Sequence, residues 1–394
     1  MGVNDILRVL YAPHKVFKEI IQNPKYLGAL IVLVLFVAAQ TGLYYIGSSK
    51  SYSEQTMPVG DQGDLWTENA TLWQASSGVI ITNNYADFVN ATSYYGDSSI
   101  EFAVNNSTNI QMVLSDLGGS VNCGVDGFKN ISLRVKIVAP DVKPENVTLY
   151  LYSLSDSNFF YYDLTNLFSS SAVNVWNNIT LPVSSGDWLS SNTAASWENI
   201  TSLKMGFAWP TNSSIDLRVD GLFFRGIFKN PVEIYGSEYV IFNLALNVLM
   251  QFVLQWLLLT GLMYVIIKGL KGKVTWKPLM VAVGFALVTM VVQALILIVT
   301  YTTLPNLYYP LEMLAGVPGE LAVASQVISD AIAFVSLVGG IVQIAVYVWT
   351  IALGAIITRA ITAFGWLKSI LVSAAAFVIT VEFLLPLLRS FFGF

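Results

Sequence analysis

Residues 11–35, "YAPHKVFKEIIQNPKYLGALIVLVL", join two kinds of sequence without a break. Pro13, Val16, Phe17, Ile20, Ile21 and Pro24 recur at helical spacing, while His14, Lys15, Lys18, Glu19 and Gln22 fall on the opposite side. Pro13 suits a first helical position, and Asn23–Pro24 ends the helix. From residue 27 to 46 the chain is apolar and uncharged, which meets the ~20 residues a helix needs to cross a bilayer. The pattern predicts an interfacial helix, its lysines toward anionic headgroups, that turns into an uncleaved first span. The preceding segment is long for a signal-peptide n-region, and no A-x-A site follows.

The rest of the chain agrees with a membrane protein. Of its 394 residues, 55% are hydrophobic and only 11% charged, against about 25% charged in soluble domains. Four further spans are expected at about 239–267, 278–301, 327–357 and 369–388. Charge is divided unevenly: residues 48–238 hold 19 of the 25 acidic residues and 9 of the 20 basic ones, a net of −10. The remainder carries 11 basic against 6 acidic residues, a net of +5. Lysine and arginine mark the cytoplasmic side of short loops. Arg8, Lys15, Lys18 and Lys25 lie before the first span, "KGLKGKVTWK" (268–277) lies between the second and third, and Arg359 and Lys368 lie between the last two. Five spans with a cytoplasmic N-terminus place all three segments inside, and residues 48–238 and the C-terminus outside. The sequons at Asn69, Asn90, Asn105, Asn106, Asn130, Asn146, Asn178, Asn199 and Asn212 all fall in that outer segment, which predicts a glycoprotein. The localisation expected is the cell membrane, or the ER/Golgi membrane with the segment in the lumen. A single cysteine, Cys123, excludes a disulfide framework and reads as a small buried residue.

From about residue 65 the period switches to two. "ISLRVKIV" alternates Ile131, Leu133, Val135 and Ile137 with polar residues, and "VTLYLY" alternates Val147, Leu149 and Leu151 with Thr148, Tyr150 and Tyr152. Short strands of this kind between Gly/Asn/Ser/Asp clusters predict an antiparallel sandwich. Pro182 marks an edge strand or bulge. Trp176 and Trp197, each ahead of an alternating strand, are expected in the core. The phrases "YYGDSSIEF", "VWNNITLPV", "SWENITSLKMGF" and "IDLRVDGLFFRG" occur in that order and resemble the jelly-roll domains of the galactose-binding-like and carbohydrate-binding-module type. That resemblance implies two roles. Asp220, in "VDGLFF", matches the strand whose Asp often helps hold a structural Ca²⁺, with no second ligand assignable. Tyr150 and Tyr152, opposite the core parity, match the aromatic platforms that stack on sugars, although a glycan on Asn146 would crowd that face. Packing under a loop or a neighbouring chain stays open for both tyrosines.

Each span carries an amide or acid near its middle: Gln40; Asn247, Gln251 and Gln255; Gln293; Gln343; Glu382. Asn243 continues the series in the second span at four-residue steps. An acid at mid-bilayer costs ~2.5–3.5 kcal/mol and should face the bundle interior. The cluster is either interhelical glue or a polar cavity for an ion, proton or small solute. Pro386 removes the helical donor for the carbonyl of residue 382, so a kink is expected beside the acid. Asp330 is expected to cap the fourth span, and Gly339, Gly340 and Ala374–Ala376 to mark close helix contacts. The only histidine, His14, lies on the inner side, and no catalytic or phosphate-binding motif is present.

The spacing P-x₃-F-x₂-I-x₃-P before the first of five spans, with "LGAIITRAITAFGWLKSI" at 353–370, resembles the prokaryotic branch of the Yip family, membrane proteins related to Rab-GTPase-interacting factors. The match covers residues 1–47 and 239–390; the long outer insertion departs from the family. The resemblance implies a non-enzymatic role in membrane organisation, scaffolding or trafficking, with no catalytic residues to carry over. The expected fold class is a multidomain membrane protein: a five-span α-helical bundle with an extracytoplasmic all-β jelly-roll sandwich between spans one and two. Its parts are 1–26 the cytoplasmic interfacial helix, 27–47 the first span, 48–64 a linker, 65–230 the sandwich and 231–394 the remaining spans. The expected partners are the lipid bilayer, N-linked glycans, and surface glycans or envelope proteins, with no nucleic acid and no cofactor beyond a structural Ca²⁺. The alternative function is a transporter or channel that uses the mid-bilayer polar cluster.

Overall fold

The computed structural model describes residues 3–58, 64–89, 95–170, 172–314 and 320–392. The chain opens with α1 (Val3–Tyr11), α2 (Pro13–Gln22) and α3 (Tyr26–Lys50). The strands follow: β1 (Ser51–Met57), β2 (Trp73–Ala75), β3 (Ile80–Asn84), β4 (Ser99–Leu114), β5 (Asn130–Ala139), β6 (Asn146–Ser153) and β7 (Ser155–Asp163). After the short α4 (Thr165–Ser170) come β8 (Trp176–Pro182), β9 (Leu189–Ser190) and β10 (Ile200–Lys229). Next are α5 (Pro231–Tyr235), α6 (Ser237–Gly269), α7 (Trp276–Ala286), α8 (Val288–Thr302), β11 (Leu307–Tyr309), α9 (Leu311–Leu314), α10 (Glu320–Ile361), α11 (Trp366–Val378) and α12 (Leu385–Phe392). A π-helical segment, Ile379–Leu384, joins the last two. The chain divides into two compact units, Met1–Ser51 with Asn230–Leu307 and Ser329–Phe394, and Tyr52–Lys229 with Tyr308–Ile328.

The second unit is a β-sandwich. Two long strands, β4 and β10, each serve both sheets, because their pairing breaks register between Ala208 and Ile215. On one side of the break Ile215–Val219 pairs with Ile100–Val104, giving the sheet β3–β4–β10–β5–β8. On the other side Leu203–Ala208 pairs with Asn109–Leu114, giving β2–β4–β10–β6–β7–β9. The alternating residues read from the sequence point inward, with Ile131, Val135, Val147, Leu149 and Leu151 fully buried. Fully buried Phe102, Phe207 and Phe224 fill the space between; truncating one such ring costs about 3–5 kcal/mol. Pro182 sits on β8, an edge strand that pairs only with β5.

Two expectations for this unit need correction. Residues 48–57 are not a linker: α3 continues to Lys50, and β1 pairs with Lys229–Phe224 at the end of β10. A single buried Glu54 among half-buried neighbours is too short a pattern to read without its partner. Trp176 is not core: it shares the parity of exposed Asn178, opposite buried Ile179 and Leu181, and so lies on the outer face. Trp197 does pack against the core, stacked on Phe160 at 3.8 Å between centroids.

The first unit is helical. Five helices are long and apolar enough to cross a membrane: Tyr26–Lys50, Ser237–Gly269, Trp276–Thr302, Leu321–Ile361 and Trp366–Leu388. The amphipathic segment differs from an interfacial helix laid in lipid. It forms two helices, α1 and α2, tied by a bidentate pair from Arg8 to Glu19 (2.9 and 3.0 Å). Val16, Phe17 and Ile20 are fully buried, packed in one cluster with Ile6, Val9 and the α7 core. Protein, not acyl chain, covers the apolar face.

Of the expected close helix contacts, Ala376 is fully buried in the helical core, while Gly340 makes none. Nothing lies within 4 Å of where a Cβ on Gly340 would stand, whereas one on Gly354 would meet Ser373 Oγ at 2.1 Å. Asp330 does not cap a helix, because α10 already begins at Glu320. Pro386 is accommodated without a proline break: the wider turn of Ile379–Leu384 precedes it and α12 continues through it.

Candidate functional site

On β6 and β7 the odd and even positions part cleanly. Leu149, Leu151 and Phe160 go to the core, so Tyr150, Tyr152, Phe159 and Tyr161 share the outer face. Register sets Tyr150 opposite Tyr161 and Tyr152 opposite Phe159. The four rings form one patch: Tyr150 to Tyr152 is 6.4 Å at 21°, Tyr150 to Phe159 5.6 Å, Tyr152 to Phe159 5.6 Å and Phe159 to Tyr161 6.3 Å. Lys204, opposite Tyr150 on β10, puts its Nζ 4.4 Å from the Tyr150 ring centre. All four rings are half-buried. The patch offers apolar ring faces beside a charged donor, which suits the CH face and hydroxyls of a sugar. Tyr150 and Tyr152 were legible from the sequence; Phe159, Tyr161 and Lys204 needed the strand register. Asn146 is exposed at the start of β6, its Oδ1 accepting from the Thr148 hydroxyl at 2.9 Å.

The outer face of the other sheet is taken up by ion pairs. Arg218 bonds Asp87 and Glu101, each at 2.9 Å, and Lys136 bonds Asp87 at 2.9 Å. Burial pushes Asp87 up, but hydrogen bonds from Lys136 and Arg218 outweigh it and hold its carboxyl below the usual range. At the end of β10, Arg225 clamps Glu54 with two bonds (2.7 and 2.9 Å) and Glu312 with two more. Glu54 also accepts from the backbone N–H of Leu311 at 2.7 Å. Burial pushes Glu312 up, yet the Arg225 bonds outweigh it and its carboxyl lies below the usual range.

Asp220 acquires the second carboxylate that the sequence could not assign. Asp64 and Asp220 are both fully buried, and Asp64 Oδ1 and both Asp220 oxygens lack a hydrogen-bond partner. Asp64 Oδ2 accepts from Thr67 Oγ1 and from the Gly221 N–H. Gly221 adopts φ +58°, and a Cβ there would stand 2.8 Å from the Tyr95 ring, so glycine is required at the turn. Burial, and then the neighbouring Asp64 charge, push the Asp220 carboxyl well above its ordinary range. Two buried carboxylates with unpartnered oxygens are hard donors of the kind a Ca²⁺ takes, the remaining ligands being carbonyls or waters. Among the described residues no group of three or more His, Cys, Asp and Glu is placed to hold a metal.

The sequons Asn69, Asn105, Asn106, Asn146, Asn178 and Asn212 are exposed, and Asn130 and Asn199 are half-buried. Asn90 lies outside the described residues. Asn105, Asn106 and Asn212 cluster where β4 and β10 change sheets. Cys123 is buried, and burial pushes its thiol up to about 12, far from thiolate chemistry at neutral pH.

In the helical unit, Gln40, Gln251, Gln255, Gln293, Gln343 and Glu382 line one cavity of about 410 Å³. Asn247 is exposed and lines no part of it, and Asn243 donates to its own helix at Tyr239 O (2.9 Å). Four-residue steps drift ~40° each on a helix, so the upper half of that stripe turns away from the lower. His14 packs edge-on against Trp366 at 5.5 Å.

No protein-family model matches the chain, and no curated protein matches it. Among solved structures, the family 11 carbohydrate-binding module from Clostridium thermocellum, in complex with a β-1,3-1,4-mixed-linked tetrasaccharide, is similar at TM-score 0.28 and 15% identity, covering 43% of this chain and 94% of that one. The family 30 carbohydrate-binding module of a cellulosomal cellulase from the same organism gives 0.27 and 9%, covering 38% and 82%. A β-1,2-glucanase from Parabacteroides distasonis gives 0.29 and 13%, covering 40% and 24%. Scores of this size assign no function.

Proposed function

We propose that this chain is a non-enzymatic membrane protein whose sandwich faces away from the cytoplasm and binds glycans through Tyr150, Tyr152, Phe159 and Tyr161. The observation that carries the reading is the four-ring patch beside Lys204, held half-exposed by two neighbouring strands rather than sunk into the core. Such a surface recognises the apolar face of a sugar ring, with Lys204 donating to hydroxyls. A glycan on Asn146 would border the patch and narrow access to it. The buried pair Asp64 and Asp220 would hold a structural Ca²⁺ that fixes the turn before the last strand segment. The helical unit, by its resemblance to the Yip family, has an organising or scaffolding role in the membrane, and surface glycans or envelope proteins are what the sandwich engages.

The test is a glycan array probed with the purified full-length protein in nanodiscs. Selective, saturable binding to a subset of saccharides is expected. A blank array would remove the glycan reading and leave the sandwich as a spacer.

A further inference from the structure

The intramembrane cavity carries an inference independent of the sandwich. All five candidate spans contribute to its wall: α3 supplies Gln40, α6 Gln251 and Gln255, α8 Gln293, α10 Gln343, and the π-helical segment Glu382. Its volume of about 410 Å³ falls within the ~300–1,000 Å³ of small-molecule sites. Tyr44, Tyr301 and Tyr347 add phenol groups to the wall. Were these residues interhelical glue, their side chains would bond one another. Among the described residues, the one hydrogen bond within this set joins Gln343 to Tyr347, both on α10, at 2.7 Å. The other amides and the carboxyl make no direct bond across the cavity. Gln255 is 4% exposed and marks the inner end, while Gln343 and Glu382 are exposed and mark the mouth. A second observation points the same way. Glu382 sits in the π-helical turn Ile379–Leu384, a geometry that recurs at functional sites because it costs stability and re-aims side chains.

The donor set selects the ligand class. Each of the five primary amides presents two N–H donors and a carbonyl oxygen with two acceptor lone pairs, and three phenols both give and take. A metal cation would use the acceptors and face the donors unfavourably; an anion would do the reverse and meet Glu382. A hydroxyl group gives and takes a hydrogen bond at once, so a polyol matches the wall throughout. We propose that this cavity is a binding site for a small uncharged polyhydroxylated solute, a monosaccharide or related polyol, with Glu382 the single ionisable group at its mouth.

The experiment uses full-length protein in nanodiscs carrying Tyr150→Ala, Tyr152→Ala, Phe159→Ala and Tyr161→Ala, so that all four rings of the outer platform are removed. Isothermal titration with D-glucose, D-galactose, myo-inositol and glycerol is expected to show saturable binding of at least one probe. Gln255→Leu and Gln293→Leu should each weaken it at least about tenfold, because a partner hydroxyl loses its bond in a closed site. Gln293→Asn, which keeps the amide, should retain more affinity than Gln293→Leu and controls for folding. Failure of all four probes to saturate would overturn the proposal. So would affinity unchanged in both leucine variants, or binding of sodium or choline with no binding of the neutral probes. A blank glycan array with wild-type protein would leave this result standing, since the platform is already removed here.

Discussion

Asp220 and Glu312 show how single carboxylates set conditions for the sandwich. Asp220 is buried beside Asp64 with three oxygens between them unpartnered. If a divalent ion joins them, 1 mM CaCl₂ should raise the melting temperature and EDTA should lower it. Saturation at about 100 times Kd corresponds to ~2.7 kcal/mol. Asp220→Asn should abolish the calcium response, and a calcium response kept by that variant would exclude the pair. Glu312 makes a prediction of opposite origin. Its folded value lies below the ordinary 4.5, so its stabilisation is present above that pH and lost as pH falls through the folded value. Glu312→Gln should cost about 1–2 kcal/mol at neutral pH, at the low end for a charged bond because Arg225 keeps Glu54. Its melting temperature should then fall less than wild type's on acidification from about pH 5 to pH 3. Equal acid sensitivity in denaturation curves would mean that Glu312 does not carry the effect.

Elements were legible where one period ran long enough. The uncharged run from residue 27 and the alternation in β5 and β6 were enough to read helix or strand and the buried face, since residues at the local repeat spacing share a face. Features set by partners distant in sequence were not legible. Ser51–Met57 reads as a linker because its strand partner lies at the end of β10. Tyr150 was visible but Phe159 and Lys204 were not, because only strand register brings these side chains of three strands together. Asp64 stood unassigned for the same reason, 156 positions before Asp220. The glycines at 339 and 340 looked like contacts by composition alone, whereas Gly354 makes the close approach. Gly354→Ala should separate α10 from α11 at a cost of about 1–3 kcal/mol. The double variant Gly354→Ala/Ser373→Ala should recover part of the loss, because it removes the atom that the new methyl meets. A double variant no more stable than the single one in thermal melts would place the strain elsewhere.

The distribution of charge predicts how the whole molecule is oriented in the membrane. Basic residues gather before α3, around the α6–α7 connection, and at the facing ends of α10 (Arg359) and α11 (Lys368). The sequons gather in the strand-rich segment, and six of those in the described residues are exposed. If charge places that segment away from the cytoplasm, enzymatic deglycosylation of the native protein should increase its gel mobility, and protease added to sealed cells should reach the sandwich. An unmodified chain shielded from protease would reverse the topology. The two proposals together would give one chain two separate surfaces for hydroxyl-rich ligands, one of ring faces and one of amides. The central claim is that the ring patch on β6 and β7 binds glycan. The most direct measurement titrates the strongest array ligand into wild-type protein and into Tyr152→Ala/Phe159→Ala. Each lost ring is worth about 0.5–1.5 kcal/mol beyond its buried area, so affinity should fall at least about tenfold while the melting curve stays close to wild type's. Equal affinity in the two proteins would contradict the account.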